Sequence, residues 1–524
     1  MNFIKYNIMN RFKILWVDDE IDLLKSHSLF LEERGYQTTP CSNGQDAIEI
    51  IKSNNFDVIL LDENMPGLNG LETLQEIKNY KPLIPIVMIT KNEEEQIMEE
   101  AIGSKITDYL IKPVNPNQIL LSLKKILKNR DLIAEKTSRD YQKEFGKLAE
   151  KCNNLKTHQD WTKYYEKLIY WELELEALED SSMLEILESQ KLEVNHLFAK
   201  FIEKNYENWI NNTGEGPLLS HQIFKHKVLP KIKQHQPTLL LMIDNLRLDQ
   251  WKIIKEDINR YFTIENESVY FSILPTATQY ARNSFFAGLT PLEIKKQFPN
   301  WWKFDHEEGG KNIYEKELLK EQCKRLRISR EISYHKITKL NESDNFIKSL
   351  NNEKSNGLTA VVYNFIDMIS HAKTEMEMIK ELAPNNKAYR SLTLSWFKNS
   401  SLIKLIKKAS EIGFQLILTT DHGTINVDKP SPVIGDKDSS LNLRYKTGKS
   451  LTYENKDVII SPKAEEYSLP AVSLNSRYIF ARNTNYFVYK NNFNHYANFF
   501  KNTFQHGGVS LEEMIVPIIV LSPR

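Results

Sequence analysis

Hydrophobic and polar positions change rhythm twice along the chain. From Lys13 to about Lys128, short apolar runs of strand length (KILWV, DVILL, IPIVMIT, TDYLIK) alternate with helical stretches. That alternation predicts a doubly wound α/β domain over 11–128. Over 129–214 the sequence becomes charged and helix-forming. Tyr141, Phe145, Leu148, Cys152 and Leu155 recur at helical spacing, as do Trp161, Tyr164, Leu168, Trp171, Leu175 and Leu178, which predicts a small helical bundle linker. After the glycine- and proline-bearing NNTGEGP, the runs LLLMIDN, SILPTATQ, VVYNFIDMISH and LILTTDHG and the closing MIVPIIVLSP predict a second α/β domain over 215–524.

Chemistry-bearing residues collect where the strands end. In the C-terminal domain these are Asp244, Thr278, Asp367 with His371, and Asp421 with His422; His506 follows in FQHGG. Open α/β sheets bind ligands beyond the carboxyl ends of their strands, so the spacing predicts one crevice holding all seven. Asp367, His371 and His506 suit one metal ion, and Asp244, Asp421, His422 and the Thr278 oxygen a second. Carboxylates and imidazoles without thiolate favour zinc or manganese. Two such ions stabilise the attacking and leaving oxygens of a displacement at phosphorus, with Thr278 as candidate nucleophile. Arg282 and Asn283 follow on the predicted helix and are candidates for holding a substrate oxygen. Arg444, Lys446 and Lys449 in NLRYKTGKS are candidates for a second basic, substrate-binding loop, whereas His221, His226, His235 and His306 read as structural. In the N-terminal domain, Asp18, Asp19 and Asp62 make an oxygen-rich site suited to Mg2+. Thr90 and Lys112 end later strands, where they would neutralise and sense a phosphoryl group on Asp62.

Charge narrows the partners. Lys plus Arg and Asp plus Glu number 69 each, so the chain has no general attraction to nucleic acid or anionic membrane. No helix-turn-helix with basic recognition residues is visible, which places a DNA-binding transcription factor last. Cys41, Cys152 and Cys323 are too scattered for a disulfide framework or a metal knuckle. No apolar run reaches the roughly 18 residues of a membrane span, and no signal-peptide core is present, so a cytoplasmic protein without a membrane partner is expected.

The motifs VDDE, LLDENMPGLNG, MIT and YLIKP resemble those of the receiver domain of two-component response regulators. The resemblance implies a flavodoxin-like fold, Asp62 as phosphoacceptor, and Mg2+ on Asp18, Asp19 and Asp62. It also implies that Thr90 and Lys112 contact the phosphoryl group, that Tyr109 is the aromatic moving on activation, and that a sensor histidine kinase is a partner. MIDN, PTATQYARNS, FIDMISH, TTDHG and FQHGG resemble the PglZ-type branch of the alkaline phosphatase superfamily. That resemblance implies an alkaline-phosphatase-like α/β domain, two Zn2+, Thr278 rather than Thr276 as nucleophile, and a metal-dependent phosphoesterase. The CxPxR context of sulfatases is missing. Together the segments resemble PorX-type response regulators, the family associated with type IX protein secretion. This implies a phosphodiesterase acting on short linear or cyclic oligonucleotides, a phosphorylation-dependent homodimer, and a sigma factor among the expected partners. The competing expectation is a signalling adaptor that binds a sigma factor or secretion component and uses the metal domain as a scaffold.

Overall fold

The computed structural model describes residues 12–524 apart from 83, 92–105, 179–180, 233–235, 365, 369–376, 436–439 and 474. His371 therefore lies outside the described residues. The chain divides into two compact units, Met1–Asp140 and Tyr141–Arg524, and the boundary falls within the helix Pro116–Cys152.

In the first unit β1 (Phe12–Val17), β2 (Tyr36–Cys41), β3 (Val58–Asp62), β4 (Ile86–Thr90) and β5 (Asp108–Ile111) form a sheet of order β2-β1-β3-β4-β5. All its ladders are parallel, giving the flavodoxin-like arrangement with its switch point between β1 and β3. Successive side chains of a strand leave opposite faces of the sheet. Leu15, Val17, Ile59 and Leu61 accordingly enter one core, while Ile14, Trp16, Val58 and Leu60 enter another. Burial on both faces is why these runs are continuously apolar and end abruptly at polar residues.

The second unit is built on a sheet of order β7-β18-β10-β6-β9-β8. Its strands are β6 (Thr238–Ile243), β7 (Phe262–Phe271), β8 (Ile332–Ile337), β9 (Leu358–Tyr363), β10 (Gln415–Thr419) and, last in the chain, β18 (Ile515–Pro523). The four strands β10, β6, β9 and β8 run parallel, and β18 and β7 extend the sheet antiparallel. Between β10 and β18 lie short strands: β11 (Ile425–Val427), β12 (Lys429–Val433), β13 (Tyr445–Gly448), β14 (Val458–Ser461), β15 (Arg477–Ala481), β16 (Asn485–Tyr489) and β17 (Thr503–Gln505). They form three small accessory sheets.

The linker is helical, as expected. Its helices His158–Ala177 and Ser181–Ile210 pack on each other, with the Trp161 and Phe198 ring centroids 5.3 Å apart, while sharing their core with the large sheet. Trp161, Leu168, Leu175, Val194 and Phe198 belong to one continuous apolar cluster with the strands of the large sheet. Phe198 and Trp209 pack their rings 6.1 and 6.0 Å from Phe271 of β7. A buried ionic network lies on the same side: Glu172 accepts from Lys191 at 2.7 Å and from Arg390 at 2.9 Å, Arg390 bonds Asp249 at 2.5 Å, and Asn195 donates to Glu512 at 3.0 Å. Fixed hydrogen-bonded charges set the register of the linker helices on the domain more narrowly than apolar contact alone.

Candidate active site

In the first unit the carboxyl ends of β1 and β3 bring Asp18, Asp19 and Asp62 together, with one oxygen from each lying within 4.8 Å of the others. Asp18 and Asp62 are buried and Asp19 is exposed, so the cluster opens toward solvent on one side. Lys112, at the end of β5, sits 2.8 Å from Asp62 Oδ1 and 3.0 Å from Asp18 Oδ2. Burial raises the Asp62 carboxyl, and the Lys112 ammonium opposes that shift. The reciprocal effect holds the Lys112 proton on, outweighing the cost of burying its charge. Thr90 is buried and donates to Glu63. Tyr109 turns outward and is exposed.

In the second unit, strand register does the assembling. Met242 of β6 pairs with Thr419 of β10, so the residue two positions beyond each member of that pair is an acid, Asp244 beside Asp421. Oxygens of these two and a nitrogen of His422 lie within 4.8 Å of one another, all three residues buried. Asp244 Oδ1 and Asp421 Oδ2 have no hydrogen-bond partner in the protein. Two buried carboxylate oxygens and an imidazole aimed at one point are a costly arrangement without a cation to share. The donor set therefore fits a metal such as zinc. Burial pushes Asp244 well above the usual carboxylate range against the pull of Arg282, with Asp421 and Asp367 adding to the rise. For Asp421 the same burial is overcome by His422 and Arg282, which hold its carboxyl low.

The second cluster adjoins the first. The β11–β17 ladder, Ile425 opposite Gln505, sets His506 against His422, with ring centroids 4.3 Å apart. His506 Nε2 lies 3.8 Å from Asp367 Oδ1. Asn245 donates its backbone N–H to Asp421 Oδ1 at 3.2 Å, and its side-chain amide lies 3.4 Å from Asp367 Oδ1. It does so from φ 64, a left-handed turn that asparagine tolerates better than most residues. Thr278 is the first residue of the helix Thr278–Ala287, and its Oγ1 lies 3.0 Å from His422 Nε2. Thr276 is occupied otherwise: its hydroxyl donates to Gly508 O at 2.8 Å and accepts from Gly507 N at 3.0 Å.

Comparison with known proteins decides the family. Residues 223–521 match the PglZ alkaline phosphatase-like domain of BREX systems, residues 131–210 the PorX response regulator linker domain, and residues 14–124 the response regulator receiver domain. The chain belongs to the PglZ family. Its three segments follow the PorX-type order of receiver, linker and PglZ domain. Among curated proteins, the transcriptional regulatory protein SrrA of Staphylococcus aureus is 34% identical over 116 residues, 22% of this chain and 48% of that protein. The chain thus spans about half the length of the curated relatives it matches. Among solved structures, chemotaxis protein CheY4 of Vibrio cholerae is 30% identical with a TM-score of 0.22, over 22% of this chain and 98% of that one. A two-component response regulator from Clostridium difficile is 34% identical with a TM-score of 0.22, over 22% and 97%. No helix among the described residues is long and apolar enough to cross a membrane.

Within the PglZ domain, four of the expected substrate contacts have other employment. Arg282 is buried, with Nη1 2.6 Å from Asp244 Oδ2 and 3.7 Å from Asp421 Oδ2, and Nε 2.6 Å from Glu315. It stands behind the carboxylates as their countercharge. Asn283 bonds Lys311 O at 3.1 Å and Asn312 Nδ2 at 3.1 Å. Arg444 is fully buried and pairs with Glu513 at 2.7 Å. Glu513 in turn accepts Gly508 N at 2.9 Å, so the pair braces the loop that carries His506. Lys446 is buried on β13, 2.6 Å from Ser440 O. Lys449 alone of that group stands exposed at the surface. Asn245, Glu315 and Glu513 are the supporting residues that sequence reasoning missed. The Asn directly after the metal-type acid in MIDN, and the acid pair of SLEEM preceding the buried β18, were the available signals.

Proposed function

We propose that the chain is a receiver-controlled, zinc-dependent phosphodiesterase whose nucleophile is Thr278. The observation that carries this reading is the Thr278 hydroxyl, 3.0 Å from His422 at the mouth of the Asp244–Asp421–His422 cluster. Asp244, Asp421 and His422 would hold one metal, and Asp367 and His506, with His371, the other. Zinc bound there would make the Thr278 hydroxyl more acidic and neutralise charge on the phosphoryl group. No side chain caps the helix Thr278–Ala287, which leaves its first N–H groups for a phosphate oxygen. Thr278 Oγ attacks phosphorus and loses its proton, and the departing alkoxide takes one up. Water then cleaves the phosphothreonine ester, restoring the hydroxyl and releasing a phosphomonoester.

The preference for a diester, and for short linear or cyclic oligonucleotides, rests on the PorX-type order and on one feature of the surface. From Tyr467 to Leu511 the chain has no Asp or Glu. Within that stretch Tyr496 and Phe499 are exposed on the helix Phe493–Phe500, which leads through β17 to His506. Exposed aromatics in a stretch that itself contributes no acid are candidates for base stacking. The same order supports a role in type IX secretion control and a homodimer formed on Asp62 phosphorylation.

The deciding experiment measures hydrolysis of a dinucleotide diester and of a phosphate monoester by zinc-loaded protein, with Thr278→Ala alongside. Diester cleavage lost in the variant supports the reading. Zinc binding without cleavage of either ester, with Asp62 phosphorylated, would replace it by the adaptor that binds a sigma factor.

A further inference from the structure

A cavity of about 440 Å3 opens in the second unit where His221, Lys225, His226, Gly288, Gln322 and Arg325 meet. None of its lining residues is a metal ligand and none is a carboxylate. Lys225 and His226 form no ion pair among the described residues, and both are exposed, as is Arg325. Arg325 donates to Ala287 O and, at 3.4 Å, to Gln297 Oε1, both uncharged acceptors. The nearby Glu293 is held by Thr290, whose N–H and hydroxyl lie 2.8 and 3.0 Å from it. The lining itself therefore carries basic and neutral groups and no acid, with Glu293 and Glu321 acting on Arg325 from outside it.

Its floor carries two unmet hydrogen-bonding atoms. His221 is 9% exposed and Gln322 2% exposed, yet His221 Nδ1 and Gln322 Oε1 have no partner in the protein. Burial pushes His221 down to about 4, so at neutral pH its imidazole offers a neutral N–H or lone pair rather than another charge. Lys225 and His226 lie on a π-helical turn, Phe224–Val228. Such single π-turns are rare within helices and occur frequently at functional sites.

We propose that this cavity is a second ligand site, for a phosphomonoester of mononucleotide size. The basic groups of Lys225, His226 and Arg325 match a phosphate dianion, Gln322 Oε1 asks for an N–H donor of the kind a nucleobase edge presents, and the volume falls in the range of small-ligand sites. Gly288, in the left-handed region at φ 60, ends the helix that Thr278 begins. A ligand here would sit about 15 Å along that helix from the nucleophile.

Isothermal titration of adenosine 5′-monophosphate, adenosine and inorganic phosphate into the zinc-loaded full chain tests this, with and without EDTA, beside the surface variant Lys225→Glu/Arg325→Glu. The nucleotide should bind whether or not EDTA is present, at least tenfold tighter than adenosine or phosphate alone, and at least tenfold weaker in the variant. Equal nucleotide affinity in the variant would overturn the site, as would binding abolished by EDTA. Phosphate binding as tightly as the nucleotide would overturn the assigned ligand size.

Discussion

Thr278 is the residue on which the proposed chemistry turns. Thr278→Ala should lower diester turnover by at least about a thousandfold while zinc content, read by metal analysis, stays the same. Lys446 makes a different prediction, on stability. Burial pushes its ammonium down from an ordinary 10.5 to about 7, with Asp305 resisting. The folded state therefore prefers the neutral amine. Below about pH 7 the full cost of a buried charge is present, and it fades as pH rises toward 10.5. Lys446→Met should raise stability at pH 6 by about 2 kcal/mol and lose that advantage by pH 10, checked by urea unfolding across pH. The clustering of Asp244, Asp421 and His422 was legible in sequence because each lies within three residues of the end of an apolar strand, where side chains of an α/β sheet converge. Arg282 and Arg444 were not, because a buried cation is defined by the acids it meets in space, Asp244, Glu315 and Glu513, and sequence spacing does not encode those meetings.

Elements hold the site at fixed separations. Gly423, directly after His422, packs so closely on the segment preceding β18 that a Cβ there would lie 2.0 Å from Glu512 O. Gly423→Ala must therefore displace either the His422 loop or the backbone at Glu512. It should destabilise the second unit by about 2 kcal/mol or more and weaken zinc binding, read together by thermal unfolding and metal titration. Arg444→Met should leave the fold intact at reduced stability but loosen the His506 loop, lowering zinc affinity more than it lowers secondary structure. The buried strands of both sheets were legible from period and burial, whereas the edge strands β2, β7 and β8, broken by polar residues, were not. The accessory strands β11 to β17 were not, since they are short and their partners are distant: β12 pairs with β16, and β11 with β17.

At the scale of the whole molecule, the ionic network between linker and PglZ domain governs acid stability. Burial would raise Glu172, but Arg390 and Lys191 overcome it and bring it from 4.5 to about 2. Its contribution is complete above about pH 4.5 and is lost as pH falls through about 2. Glu172→Gln should flatten that acid limb and, by leaving two cations short of a partner, lower stability at pH 7 by about 3 kcal/mol in chemical denaturation. The aromatic stripes of the linker were legible as helices wanting a partner. That the partner is the large sheet was not, because apolar stripes do not name what they face. A fragment covering 215–524 should for that reason be insoluble, whereas one covering 141–524 should unfold as a single cooperative transition in calorimetry.

The linker's shared core also bears on how such proteins diversify. A receiver can be exchanged by recombination where few contacts cross the chain, but a crossover between the linker and the PglZ domain would separate Phe198 from Phe271 and Glu172 from Arg390. Lineages that trade this output module should therefore inherit linker and PglZ domain together, and the ancestral break is to be sought upstream of Tyr141 rather than at the glycine-rich turn near residue 215.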